Sequence, residues 1–325
     1  MQMTNIALIG AGQLGSRHLQ ALALLKQQVS IQVIDPSADS LKTAELRFKE
    51  VSNNFKGKIS FHTEIAALEK NIEIAVVATN SKVRRIVTEH LVAHSTVKNL
   101  ILEKFLFTKE SDYDAMAELL ATKNINAWVN CPRRMMPFYQ QLQQELKGAM
   151  HFTAVGNNWG LGCNGIHLLD LFAYLSRPSS IELSNNLINK PSIESKREGY
   201  VEFTGTITGH AYPHSLHITS FAGEPSPLQI IINTPTAKYS IQEGPTAKVW
   251  ISRLANKWEW EEQLFTMPFQ SQLTNLVVEQ ILNSGTCSLT TYEESSRLHV
   301  LFLNNLLIHL RKINNDNSIL ECPIT

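Results

Sequence analysis

The chain has only four cysteines, at 131, 163, 287 and 322, and no two of them form a CxxC pair. That spacing excludes a disulfide-stapled scaffold and a zinc ribbon, and it predicts reduced thiols in a cytoplasmic protein. Net charge is missing too. The 29 lysines and arginines balance 29 aspartates and glutamates, so neither nucleic acid nor an anionic membrane is an expected partner. Lys82, Arg84 and Arg85 form one local basic cluster, read as a solvated helix face. No apolar run approaches the roughly 18 residues of a membrane span. The first residues lack the charged-then-apolar pattern of a secretory leader, and no repeat or low-complexity segment occurs. What remains is 325 residues, long enough for two domains with a core each.

The positive signals begin at the start of the chain. Ile6 to Ile9 reads as a buried strand that ends in Gly10-x-Gly12-x-x-Gly15, and Leu19, Leu22 and Leu25 then mark one face of a helix. In a dinucleotide site Gly10 permits the tight turn, Gly12 lets the backbone approach a pyrophosphate, and Gly15 lets helix and strand pack closely. Gln13 and Leu14 stand at the helix start, where free N–H groups face the phosphates. A second apolar run, Ile31 to Ile34, closes on Asp35, placed to accept hydrogen bonds from a ribose 2′-OH. A carboxylate there repels a 2′-phosphate, and Pro36-Ser37-Ala38 supply no arginine to pair with one. NAD is therefore expected in preference to NADP. The competing readings are a glycine turn in another α/β protein and an S-adenosylmethionine site.

Strand and helix alternate over residues 1 to 127. Apolar runs at Ile6–Ile9, Ile31–Ile34, Ile59–Phe61, Ile74–Ala78, Leu100–Leu102 and Ala127–Val129 are spaced by helical stretches such as Ser37–Glu50, Lys82–His94 and Ser111–Lys123. The pattern predicts an α/β, Rossmann-type doubly wound parallel sheet. Ligands in such sheets sit beyond the carboxyl ends of the strands, which points to Gly10–Gly15, Asp35, Thr79, Asn80, Glu103, Lys104 and Asn130. From about 200 to 265 the pattern changes to period two, punctuated by Gly and Pro turns, and helices return at Phe269–Leu282 and Tyr292–Leu310. Residues 128–325 are expected to form an α+β domain with an open, largely antiparallel sheet, whose C-terminal helices pack back toward the first domain. An open sheet has a face to cover, so a homo-oligomer, dimer or tetramer, is expected through it.

These residues together resemble the Gfo/Idh/MocA oxidoreductases, which include glucose–fructose oxidoreductase and inositol dehydrogenase. The matching pieces are the glycine fingerprint with Arg17-His18, Ala75-Val-Val-Ala-Thr79 and Leu102-Glu-Lys-Phe105. They continue with Asn130-Cys-Pro-Arg-Arg-Met-Met-Pro-Phe-Tyr139, Gly165-Ile-His-Leu-Leu-Asp170 and Thr291-Tyr-Glu-Glu294. The resemblance implies that a Rossmann domain binds NAD(P), and that a lysine and a histidine meet over the nicotinamide, where a sugar or cyclitol hydroxyl is oxidised.

The chemistry of the residues agrees. Taking a hydride from a carbinol needs a base for the hydroxyl proton and a cation near the developing alkoxide. His167 suits the first role and Lys104 the second. Asp170, three residues past His167 on a helix, shares its face and is read as orienting the imidazole or binding a substrate hydroxyl. Two departures from the family pattern stand out. Phe105 replaces the proline that often follows the lysine, which predicts a trans Lys104–Phe105 bond. Cys163 occupies the position of an aspartate that many members carry four residues before the histidine.

Arg133 and Arg134 are candidates for an anionic substrate, or else a structural pair bracing the domain interface, and Asn130 and Trp159 are candidate pocket walls. His210 and His214 are expected on one strand face with His217 on the other, which leaves no complete metal set. Trp258 and Trp260 are expected on one strand face, for packing or an oligomer interface. Two further functions stay open: a catalytically silent dinucleotide-binding regulator, and a reductase of a C=N or enone substrate.

Overall fold

The structure is a computed structural model describing residues 3–190 and 192–325. The chain divides into two compact units: Met1–Phe107, Ser111–Pro132 and Pro268–Ser296 form the first, and Thr108–Glu110, Arg133–Met267 and Arg297–Thr325 the second. The division is not a single cut, because the segment from Pro268 returns to the first unit.

In chain order the first unit holds β1 (Thr4–Ile9), α1 (Gly15–Leu22), β2 (Val29–Ile34), α2 (Ala38–Lys49), β3 (Lys58–His62) and β4 (Asn71–Val77). It continues with α3 (Arg84–His94), β5 (Thr96–Leu102), α4 (Ser111–Lys123) and β6 (Asn126–Val129). The six strands are parallel, in the order β3-β2-β1-β4-β5-β6. Ile6, Ala7 and Leu8 are fully buried, as expected for strands covered on both faces. The order reverses between β1 and β4, and at such a switch the strand ends open a crevice. Local chemistry fixes α2: the Ser37 hydroxyl accepts from the Ser40 N–H at 3.2 Å, Asp39 lies in the first turn, and Arg47 and Lys49 lie in the last.

The second unit contributes α5 (Pro137–Glu145), β7 (His151–Asn157), α6 (Leu161–Ser176), β8 (Glu182–Ile188), β9 (Ile193–Glu194), β10 (Val201–Glu202), β11 (Gly205–Ala211) and β12 (His214–Phe221). Then come β13 (Gln229–Asn233), β14 (Ala237–Gln242), β15 (Ala247–Arg253) and β16 (Trp260–Phe265). Eight of these strands make one sheet, in the order β16-β15-β14-β13-β7-β12-β11-β8. All its pairs are antiparallel except β7 with β12. Phe152, Ile218, Ile230, Ile232, Ile241 and Val249 point to the covered face, and the residues between them point to the other. α7 (Thr274–Ser284) and the two-residue strand Thr290–Thr291, antiparallel to β6, belong to the first unit. α8 (Tyr292–Asn314) passes from the first unit to the second after Ser296. Among the described residues no helix is long and apolar enough to cross a membrane.

Four local expectations are corrected. Arg84 is buried at 1% exposure, because its guanidinium satisfies backbone carbonyls, so the basic cluster is not a solvated face. The run from Tyr200 to Ile207 is not one strand, since Phe203 and Thr204 separate β10 from β11. His210 and His214 lie on different strands of a hairpin, because the chain turns at Tyr212-Pro213. Trp258 has φ +66° and lies outside β16, which begins at Trp260, so the two indoles do not share a strand face.

The tightest approach in the first unit is at Gly15, where a Cβ would lie 1.9 Å from the Gly10 carbonyl oxygen. Gly15→Ala is expected to cost about 3 kcal/mol or more by forcing α1 away from β1. Chemical unfolding reads this as a lower midpoint, and an unchanged midpoint would contradict the packing described.

Candidate functional site

Gly10, Gly12, Asp35, Thr79 and Asn80 line one cavity of about 540 Å³ at the carboxyl ends of β1, β2 and β4. Gly10 makes the turn with φ +92°, a region costly for residues with a Cβ. A Cβ on Gly12 would meet nothing within 4 Å, so this glycine presents bare backbone to open space. The Asp35 carboxylate accepts from the Ala11 N–H at 2.7 Å and the Ser37 N–H at 2.9 Å. Two oxygens carry about four acceptor sites, so capacity remains for ribose hydroxyls. Among the described residues the buried Thr79 hydroxyl has no hydrogen-bond partner, and a ligand hydroxyl or amide would supply one. These residues fit a dinucleotide. Sequence reasoning missed Thr63, Glu64 and Ile65 on the same cavity, although they follow β3 and the strand-end rule applied there reaches them. It also missed Val83, Val87 and His90, which share one face of α3 and its first turn. A larger cavity of about 610 Å³ lies by β6 and Tyr292, lined by none of the glycine-turn residues.

Glu103 and Asn130 do not line the dinucleotide cavity. They join a ring of side chains that is buried except at the half-buried Gln270. His18 Nε2 lies 2.8 Å from Glu103 Oε1, and the Asn130 amide donates to the same oxygen and, at 2.8 Å, to Gln270 Oε1. The Gln270 amide donates to the Thr274 hydroxyl at 2.9 Å, which lies 2.8 Å from His18 Nδ1. With the imidazole proton on Nε2, a tautomer assigned from this network, the donors run from Asn130 through Gln270, Thr274 and His18 to Glu103, and Asn130 also donates to Glu103 directly. Burial pushes the Glu103 carboxyl up, but His18, Asn130 and the nearby Lys104 ammonium outweigh it and hold the group below the usual carboxylate range. Lys104 follows at the end of β5, half-buried. The Lys104–Phe105 bond is cis, against expectation. Phe105 is fully buried, and Arg84 donates to the carbonyls of Phe105, Leu106 and Thr79. Gln13, Leu14 and Gly15 form the start of α1.

In the second unit His167 lies on α6, on a half-exposed stripe with Cys163 and Asn164. The Gly162 and Cys163 N–H groups at the helix start donate to Glu202 at 2.8 and 3.0 Å, a cap that no sequence signal announced. Asp170, 1% exposed, has both oxygens engaged by Arg134 at 2.8 and 2.9 Å. Arg133 forks onto Glu243 at 2.8 and 2.5 Å, and the Tyr139 hydroxyl donates to that carboxylate at 2.5 Å. Burial pushes Glu243 up, but the Arg133 charge and these hydrogen bonds hold it below its ordinary value. Each arginine is thus matched to a carboxylate within its own unit. Asp170, read as orienting the imidazole or binding a substrate hydroxyl, is the partner of Arg134 here. The Trp159 indole donates to the Thr219 carbonyl at 2.8 Å, which fixes the ring against β12.

Residues 4–131 match the model of the Gfo/Idh/MocA oxidoreductase family, described as an NAD-binding Rossmann fold. No curated protein sequence matches the chain. Among solved structures it is similar to UDP-N-acetylglucosamine 3-dehydrogenase GnnA of Acidithiobacillus ferrooxidans, at 14% identity and TM-score 0.68 over 96% of this chain and 99% of that one. It is similar to the transcriptional regulator Gal80p of Kluyveromyces lactis, at 15% identity and TM-score 0.68 over 97% and 90%. A mutant of KijD10, a 3-ketoreductase of Actinomadura kijaniata solved with TDP-benzene and NADP, matches at 14% identity and TM-score 0.68 over 93% and 96%. At these identities the likeness is one of fold. The family match is therefore that of residues 4–131, and beyond them the chain shares the fold of these structures.

Two outcomes follow from the geometry. The Glu103 carboxyl titrates below its ordinary value of 4.5, so its stabilisation is complete above that pH and is lost as pH falls through the lower folded value. Unfolding midpoints taken from pH 7 downward should decline in acid, and the decline should be shallower in Glu103→Gln; equal slopes would contradict the account of the ring. Gly12→Val should melt within about 2 °C of the parent protein yet lose the thermal stabilisation that NAD confers. A variant still stabilised by NAD would place the ligand elsewhere.

Proposed function

We propose that the protein is an NAD-dependent oxidoreductase acting on a hydroxyl of a sugar, cyclitol or sugar derivative. The observation that carries the reading is the cavity beside the glycine turn. It combines bare backbone at Gly12, an unsatisfied Thr79 hydroxyl and an Asp35 carboxylate. Asp35 favours NAD, since a carboxylate repels a 2′-phosphate, and Glu64 adds a second acid to the same cavity. When bound, the nicotinamide accepts or returns the hydride. The roles assigned to the chain are proton acceptor for His167 and stabiliser of the developing alkoxide for Lys104. Arg133 and Arg134 are neutralised by Glu243 and Asp170, so the reacting part of the substrate is an uncharged polyol. The names of GnnA and KijD10 add nucleotide-linked sugars to the substrates worth testing. The protein works as a homo-oligomer in the cytoplasm. Its subunits meet through the outer sheet face, where Phe221, Trp260 and Leu264 are 53%, 56% and 64% exposed.

One observation favours a second reading, a dinucleotide-binding regulator without turnover. Cys163 stands one turn before His167 on the same stripe of α6, where the resemblance places an aspartate. A thiol carries no carboxylate charge at neutral pH unless its pKa falls strongly.

The test is a panel of free and nucleotide-linked sugars and cyclitols with NAD, followed at the absorbance of the reduced nicotinamide. Turnover on one class is expected, with kcat lowered about 10²–10⁴-fold in His167→Ala and in Lys104→Ala. Undiminished turnover in the double variant would overturn the assigned roles. Cofactor binding with silence across the panel would favour the regulator.

A further inference from the structure

A cation that the sequence reading left out sits against the glycine turn. Arg47 is in the last turn of α2, half-buried, and its guanidinium reaches the start of α1. Nη1 donates to the Ser16 hydroxyl at 2.6 Å and to the Gln13 carbonyl at 3.3 Å, while Nη2 donates to the Gln13 side-chain oxygen at 2.8 Å. The Ser16 hydroxyl in turn donates to the same Gln13 carbonyl at 3.1 Å. The other end of Arg47 is fixed as well, because the Gln20 amide donates to its carbonyl at 3.1 Å. Gln13 itself is exposed and directly follows Gly12, and this fork and Ser16 hold its side chain and carbonyl. The N–H groups from Gln13 to Gly15 have no acceptor within the helix, which is what makes a helix start a diphosphate seat.

We propose that Arg47 is a positioning residue for cofactor binding. Its planar fork holds Gln13, and thereby the N–H groups of the glycine turn, in the arrangement that receives the diphosphate. The inference rests on the dinucleotide reading above and adds a residue that acts on one part of the ligand only. A guanidinium can span the carbonyl, the hydroxyl and the amide oxygen together, and an ammonium cannot. Fixing a loop before binding removes an ordering cost that the ligand would otherwise meet.

The experiment measures dissociation constants for NAD, ADP-ribose and adenosine with the full-length protein. It compares the parent with Arg47→Met, Arg47→Lys, Gln13→Ala, the Arg47→Met/Gln13→Ala double variant and Lys42→Ala, the last removing an exposed cation from the same helix. Loss of the charge-assisted fork should weaken NAD and ADP-ribose by about tenfold in both Arg47 variants. Adenosine, which lacks the diphosphate, should bind all variants alike, and Lys42→Ala should match the parent. Adding Gln13→Ala to Arg47→Met should change little further, because the two act as one unit. Parent-like binding by Arg47→Lys would show that charge alone matters and overturn the positioning role. Parent-like binding by Arg47→Met, or an equal loss for adenosine, would overturn it too. Failure of the parent protein to bind NAD would instead overturn the cofactor reading itself.

Discussion

The first unit depends on the largely buried ring formed by His18, Glu103, Asn130, Gln270 and Thr274. Its members come from α1, the ends of β5 and β6, and the segment that returns after Met267, so one hydrogen-bonded circuit joins four stretches of chain. A polar network at this depth stabilises only if every member is satisfied; a single missing partner would leave a carboxylate or an amide buried without compensation. The ring explains why Pro268–Ser296 packs as part of the first unit although it follows the second in sequence. It also fixes the residue before Lys104, and Arg84 fixes the carbonyls of Phe105 and Leu106 after it. The lysine proposed for chemistry is therefore carried on a backbone held on both sides.

The second unit handles buried charge differently. Arg134 with Asp170, and Arg133 with Glu243 and Tyr139, are pairs in which each fork meets a carboxylate at short range. Taking such charges out of water is costly, and only near-ideal geometry with further hydrogen bonds offsets the cost. Removing either partner leaves an orphan charge, so these pairs act as fixed struts. The acid cap from Glu202 serves α6 in the same way, meeting the free N–H groups at the start of the helix that carries His167.

What the sequence made legible follows from how far each signal reaches. The parallel strands, the glycine turn and the Asp35 terminus are local patterns, and all stand where the periodicity put them. Thr63, Glu64 and Ile65 were within reach of the same rule and were passed over, although the run before them, Ile59–Phe61, was read as a strand. The ring was not legible as a ring. His18, Glu103 and Asn130 carried marks of their own, but Gln270 and Thr274 lie 252 and 256 positions beyond His18, and no local pattern foretells a partner at that distance. The partners of Arg133 and Arg134 were not legible for a related reason: a charge reads as available until its partner is placed, and Asp170 and Glu243 are remote in sequence. Arg47 left no trace because its role arises from side-chain reach between two helices.

The measurement that tests the account most directly is a calorimetric titration of the purified protein with NAD and, separately, with NADP. Binding of one dinucleotide per chain, tighter for NAD than for NADP, is the result that the Asp35 cavity predicts. Absence of heat and of saturation with both dinucleotides would contradict the account at its first strand.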